Sequence, residues 1–266
     1  MIAPLLLSVL TAASTPGATE DPPAQARCCG VIELRQYTLK PGKRDVLIDL
    51  FEHEFIEPQE ALGIDLVGTF RDRDRPDRFV WIRGFSDMSA RARALEGFYF
   101  GPVWQAHREA ANATMIDSDN VLLLRPVAAD AGFMPAATPR APIGATARPA
   151  SRVLATIYYF AEQPNTDFVR FFDHEIAPAL TQAGAPPIAR LETETSENSF
   201  PRLPVRAGEH VFVWFARFDD ADALAAFDAN LAGSVRWKNV SQALEGRLRS
   251  PPERLVLEPT ARSRLR

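Results

Sequence analysis

Cysteine is nearly absent: the 266-residue chain holds two, adjacent at Cys28-Cys29. That excludes a multi-bridge disulfide scaffold and a Cys-rich structural zinc site. An excess of positive charge is missing too. Thirty Lys+Arg against thirty-four Asp+Glu leave a formal net charge of −4, whereas binding through counterion release needs a dense basic footprint, so no nucleic-acid partner is expected. Past the amino terminus no run of about 20 apolar residues occurs, which excludes a spanning membrane helix in the body of the chain. Gly-x-Ser-x-Gly, the phosphate-binding glycine loop and Gly-x-Gly-x-x-Gly are all lacking, so hydrolase, nucleoside-triphosphatase and Rossmann readings have no support. What is present, 46% hydrophobic and 24% charged residues, suffices for sizeable cores and matches neither a disordered nor a collagen-like chain.

Residues 1–30 read as a leader. Ile2 to Ala13 is apolar, of signal-peptide length and too short to cross a bilayer, and the small residues from Ala12 to Ala18 suit a cleavage site. The expected location is therefore periplasmic or secreted. No Lys or Arg precedes the apolar stretch, so the other reading is a disordered Ala-rich tail on a cytoplasmic protein. Arg27 before Cys28 does not suit lipoprotein processing, and the cysteine pair is expected in a solvent-exposed tail.

The chain repeats itself. Phe79-Val80-Trp81, Phe85 and Asp87 recur as Phe212-Val213-Trp214, Phe218 and Asp220, Trp104 as Trp237, and Pro126 as Pro259, each displaced by 133 residues. Phe51-Glu52-His53-Glu54 recurs as Phe172-Asp173-His174-Glu175 with a displacement of 121. The second copy thus carries about twelve extra residues between its first helix and its Phe-Val-Trp strand. The polar stretch Thr193 to Glu209, with Pro201, Pro204 and Gly208, reads as a long hairpin loop in place of the turn from Asp72 to Asp77. Residues 127–151, rich in Ala and Pro, read as a linker. The expected domains are 31–126 and 152–259, with a basic tail at 260–266; each domain is of the size that supports one core.

Within the first copy, Val31 to Leu39 is β-rich and stops at Pro41-Gly42. Val46, Leu47, Leu50, Phe51 and Phe55 follow at helical spacing, and Ile64 to Arg71 with Arg78 to Phe85 read as an antiparallel pair. Ser86 or Asp87 offers a cap for a helix through Ala90, Ala94 and Leu95; Trp104 to Met115 continues helical, and Val121 to Leu124 closes the repeat as a strand. The order βαββαβ is the ferredoxin-like arrangement, an α+β fold whose bare sheet face needs cover; the second copy is the expected cover.

Glu33-Leu34-Arg35-Gln36-Tyr37-Thr38-Leu39-Lys40-Pro41-Gly42-Lys43, the Leu66-Val67-Gly68-Thr69-Phe70 strand, the Asp77 to Phe85 strand, the Ala90-Arg91-Ala92-Arg93 helix and Trp104 together resemble the NIPSNAP family. The second copy resembles it weakly, through Tyr159 and the Phe-Val-Trp strand. The resemblance implies a dimeric α+β barrel, here completed by tandem domains within one chain and hence a monomer. It implies no assigned reaction, while the wider superfamily holds cofactor-independent monooxygenases, haem-degrading enzymes and ligand-binding proteins.

Along the first strand Glu33, Arg35 and Tyr37 alternate with Ile32 and Leu34, and the polar face is expected to line the space between the two sheets. The candidate ligand-binding residues are Arg35, Tyr37, Trp81 and Arg83, with Tyr159 and Trp214 from the second copy, a set suited to a planar or anionic organic molecule. Packing roles for the two tryptophans and an Arg35–Glu33 ion pair are the competing reading. Opposite pleating would place Arg35 beneath the helices, where it would need a full set of buried partners. His53-Glu54 and His174-Glu175 lack the second histidine of a zinc motif, so no metal is expected. Their glutamates fall toward the apolar helix side and their histidines away from it. With no nucleophile-base grouping and no cofactor indicated, the expectation is a protein that binds a small organic ligand or a protein partner. The alternative is a cofactor-independent oxygenase or isomerase using Arg35, Tyr37 or Glu54.

Overall fold

Alternation of apolar and polar residues makes Val31–Leu39 a strand, β1, and Gly42, with φ of 73°, supplies the left-handed turn that ends it. The computed structural model describes residues 28–135 and 138–266; the expected signal peptide at 1–27 lies outside them. Helix α1 (Arg44–Leu50) runs through a π-turn at Phe51–Phe55 into α2 (Ile56–Ala61). Strands β2 (Asp65–Asp72) and β3 (Arg78–Phe85) form the hairpin. Helix α3 (Met88–Tyr99) is capped by Asp87, whose carboxylate accepts from Ala90 N at 2.7 Å, and α4 (Pro102–Asn112), β4 (Met115–Asp117) and β5 (Val121–Pro126) complete the half. The second half repeats the order: β6 (Arg152–Phe160), α5 (Thr166–Phe171), a π-turn at Phe172–Ile176, α6 (Ala177–Ala183), β7 (Ala189–Thr193), β8 (His210–Phe218), α7 (Ala221–Gly233), α8 (Val235–Glu245) and β9 (Glu253–Pro259). The long β7–β8 connection falls where the sequence places it.

The halves join edge to edge. Going round, the strands run β3-β2-β9-β6-β8-β7-β5-β1, and β1 pairs with β3 to close an eight-stranded antiparallel barrel, with β4 on the far end of β1. The seams are Phe70↔Pro259 to Asp72↔Leu257 and Leu124↔Thr193 to Pro126↔Leu191. Closure leaves no sheet edge of either half at these seams, which removes the aggregation hazard of an open edge.

The pleat is the reverse of the expected one. Ile32, Leu34, Val80, Ile82, Val153, Ala155, Ile157, Val213, Phe215, Leu255 and Leu257 fill the lumen, because an eight-stranded barrel is just wide enough for its own side chains. Glu33, Arg35 and Tyr37 therefore face the helices. Around the outside, α1 to α4 pack on Tyr37, Phe79, Trp81 and Phe85, and α5 to α8 pack on Leu154, Tyr158, Phe212 and Trp214.

Two further expectations are corrected. The π-turn adds a residue to its turn and shifts the helical phase: Glu52 is buried, accepting from the Arg262 backbone N at 2.9 Å. Glu54 is half-exposed beside His107 at 3.4 Å, and Glu175 is exposed. His53 and His174 are solvated, as expected. The cysteines are not in an exposed tail either, since Cys29 is buried and Cys28 N donates to Phe133 O at 3.2 Å. The connection between the halves packs as well: Ala131 and Phe133 are buried and Arg140 reaches Glu60 at 2.6 Å.

Candidate functional site

Register brings the charged residues together. On adjacent strands Glu33 lies opposite Arg83 and Arg35 opposite Trp81, so three charged side chains and an indole share one patch of the helix-covered face. Arg91 joins them from α3, where it occupies the same helix stripe as Ala94, Leu95 and Phe98. Glu33, Arg35, Arg83 and Arg91 are all fully buried.

The single carboxylate is shared three ways. Glu33 Oε1 accepts from Arg91 Nε at 2.7 Å. Its Oε2 accepts from Arg35 Nη1 at 2.7 Å and Arg83 Nε at 2.8 Å, with Arg83 Nη2 at 2.7 Å. Burial alone would raise the Glu33 pKa, but Arg83, Arg35 and Arg91 hold it far below the ordinary carboxylate range. Arg35 Nε donates to the Tyr37 hydroxyl at 3.0 Å and Arg83 Nη1 to Gln59 Oε1 at 3.1 Å. Burial pushes Tyr37 up to about 12, against the pull of Arg35.

Three guanidiniums against one carboxylate leave two buried positive charges. Among the described residues, Arg35 Nη2, Arg91 Nη2 and the Trp81 indole N–H hold no hydrogen-bond partner. Arg35 lies 5.3 Å and Arg83 4.8 Å from the Trp81 ring, so the indole face absorbs part of the charge. The cover comes from the other half: Arg91 Nη1 donates to Asn198 Oδ1 at 2.9 Å and Ser199 Oγ at 3.0 Å, and Phe200 stacks on Tyr99 at 5.8 Å. Beside this lid a cavity of about 240 Å³ opens between Tyr99, Trp104, Arg108, Phe200 and Arg202. Tyr99 is its shared wall with the cluster, its ring 5.9 Å from the Arg83 guanidinium.

Residues 32–129 match the NIPSNAP family. This stretch is a NIPSNAP domain. No curated protein matches the chain. Three solved structures share the fold over most of the chain. A candidate monooxygenase of Fusobacterium nucleatum has 10% identity and a TM-score of 0.53, covering 86% of this chain and 92% of its own. A dye-decolorizing peroxidase of Bacteroides thetaiotaomicron has 9% and 0.51, covering 90% and 94%. An anthrone oxidase-like protein has 12% and 0.50, covering 86% and 91%. At such identities the likeness shows the fold alone.

Outside the NIPSNAP domain, the equivalent place in the second half is hollow. The positions displaced by 121 and 133 residues from Glu33, Arg35, Arg83 and Arg91 are Leu154, Thr156, Ala216 and Leu224. A cavity of about 360 Å³ lies there between Thr156, Tyr158, Trp214, Leu231 and Trp237, with Asp228 and Arg254 paired at its rim. Here Trp214 Nε1 donates to the Tyr158 hydroxyl at 3.0 Å, whereas Arg35 has taken the matching Tyr37 hydroxyl and Trp81 has no acceptor among the described residues.

Of the residues expected to bind ligand, Arg35, Tyr37, Trp81 and Arg83 thus meet in the NIPSNAP domain, though beneath its helices and not in the lumen. Trp214 belongs to the second cavity. Tyr159 points into one end of the barrel, donating to Glu253 Oε2 at 2.8 Å and accepting from Arg206 Nη1 at 2.9 Å. Arg91 escaped the sequence reading, although a charge in line with Ala94, Leu95 and Phe98 was its signal.

Proposed function

We propose that the NIPSNAP domain binds a small planar organic acid, its carboxylate meeting Arg35, Arg91 and the Trp81 N–H and its flat body lying against Tyr99, Trp104 and Phe200. The carrying observation is the buried double positive charge with donors left unsatisfied, a state that is costly unless an anion completes it. Arg108 and Arg202 at the cavity rim favour approach of the same charge. Entry requires the loop over residues 194–209 to lift. The oxygenase or isomerase alternative loses Glu54, which sits apart beside His107, and a Tyr37 held near 12 is a poor base at neutral pH. Binding is therefore the reading supported best.

Benzoate is a suitable probe. At a hundred times its Kd it should stabilise the fold by about 2.7 kcal/mol, or about 5–11 °C in Tm for a chain of this size. Benzamide, which has the same shape without the charge, should have no effect, and Arg35→Met should abolish the benzoate shift. An equal response to benzamide would refute the reading.

The second half is proposed as a divergent copy of the NIPSNAP domain, on the repeated element order and the matched Trp81 and Trp214. A monomer is proposed from the barrel closed within one chain, and light scattering at micromolar concentration checks it. Export is proposed from the composition of the leader and from the Cys28–Cys29 bond, since disulfides persist in oxidising compartments. No helix among the described residues is long and apolar enough to cross a membrane.

A further inference from the structure

The organic-acid site makes no use of the two sulfur atoms, which lie at a separate pocket. Cys28 and Cys29 are bonded to each other. Cys29 is buried, its sulfur seated so closely on Gly84 that a Cβ there would come within 2.1 Å of it. Cys28 is half-buried and lines a pocket of about 260 Å³ at one mouth of the barrel, walled by Val67, Phe133, Ile188 and Leu265. Asp65, Arg217, Arg264 and Arg266 also line it; Arg264 is shared between Asp65 and Glu60 and Arg217 pairs with Asp219, while the Arg266 guanidinium has only the Pro139 carbonyl as a partner among the described residues. An Asp65 oxygen lies within 4.8 Å of both sulfurs, and Arg264 pairs with that carboxylate at 3.4 Å. A disulfide that served only as a brace would not need one sulfur in an open pocket and a carboxyl group beside both.

We propose that this pocket is a thiol–disulfide exchange site for small thiols that carry a carboxylate, with Cys28 as the sulfur attacked. The incoming thiolate forms a bond to Cys28 Sγ, the Cys28–Cys29 bond breaks, and the electron pair leaves on Cys29 Sγ. The departing Cys29 Sγ takes its proton from the medium, with the Asp65 carboxyl group beside it. A second thiolate then attacks the external sulfur of the mixed disulfide and releases Cys28 as a thiolate. Overall two thiols become one external disulfide, and Cys28 and Cys29 take up two electrons and two protons. The substrate class follows from the guanidiniums, which draw in a carboxylate and repel an ammonium group.

The test is the rate at which the native full chain gains free thiols, with 3-mercaptopropionate and cysteamine compared at matched thiolate concentration. Each rate is divided by that thiol's rate with the uncharged 2-hydroxyethyl disulfide, which cancels their difference in intrinsic nucleophilicity, and these quotients are the rates compared. The anionic thiol should react about tenfold faster. Arg217→Gln, at an exposed edge, should cut that preference to about threefold, and Arg264→Gln should cut it further. Equal rates for the two thiols in the unaltered protein would overturn the proposal, whatever the variants do. So would two free thiols in the air-oxidised native protein, or thiol release no faster than global unfolding.

Discussion

Removing the carboxylate of Glu33 is the sharpest perturbation the fold offers. It accepts charged contacts from Arg35, Arg83 and Arg91 at 2.7 to 2.8 Å. Hydrogen bonds to charged groups contribute about 1.5–3 kcal/mol each, but the desolvation of four buried ions offsets much of that sum. The loss on breaking such a network is dominated by the charges left behind, about 3–5 kcal/mol. Glu33→Leu, the residue the second half has at Leu154, should therefore lower Tm by about 6–20 °C. Replacing the whole set at similar volume, Glu33→Leu with Arg35→Met, Arg83→Met and Arg91→Met, removes the stranded charges along with the carboxylate. The fourfold variant should be more stable than Glu33→Leu alone, despite the hydrogen bonds lost at Tyr37, Gln59 and Asn198. Thermal and urea unfolding of the three proteins decide it. A Glu33→Leu cost below about 1 kcal/mol, or a fourfold variant less stable than the single one, would refute the claim that Glu33 compensates the arginines.

Two dependences on pH follow from the same burial. Because Glu33 is held far below its unfolded value, its contribution is complete above the unfolded pKa and falls as the medium is acidified; stability should drop from about pH 5 downward by up to about 1.4 kcal/mol per pH unit for this group, and Glu33→Gln should flatten that limb. Tyr37 and Tyr159 are each pushed to about 12 and Tyr158 is raised further, so their contribution is complete below the ordinary tyrosine value and is lost as the pH climbs toward 12. Ultraviolet titration should show these phenols protonated at about pH 11 in the native protein and ionised in urea, and early titration of all of them would contradict the burial described.

Most strands were legible because their cues are local. Val31–Leu39 and Arg78–Phe85 are bounded by turn residues, and the 133-residue displacement of Phe-Val-Trp exposes the repeat. The orientation of the pleat was not. Either face of β1 could be turned inward on alternation alone, and the choice rests on Arg91, which arrives from α3 to share Glu33 and makes a buried guanidinium layer tenable. The placement of Glu52 was equally hidden, since nothing in the helical spacing announces a π-turn. The edge-to-edge seams, too, depend on strands remote in sequence.

The extra residues of the second half explain why two equivalent places ended so differently. The β7–β8 loop crosses to the first half, delivers Asn198 and Ser199 to Arg91, and lays Phe200 on Tyr99. Its counterpart, the turn between β2 and β3, reaches in the opposite direction only as far as the β9 edge, where Arg73 N donates to Val256 O at 2.9 Å and Arg75 stands 3.9 Å from Glu253. It is too short to close the cavity between Thr156, Tyr158 and Trp237. Cover and charge are coupled: buried guanidiniums need a polar lid to supply acceptors, and a lid of Asn and Ser has value only over donors. Where the lid is missing, Leu154, Thr156, Ala216 and Leu224 replace the charges, and the space they leave stays open to solvent.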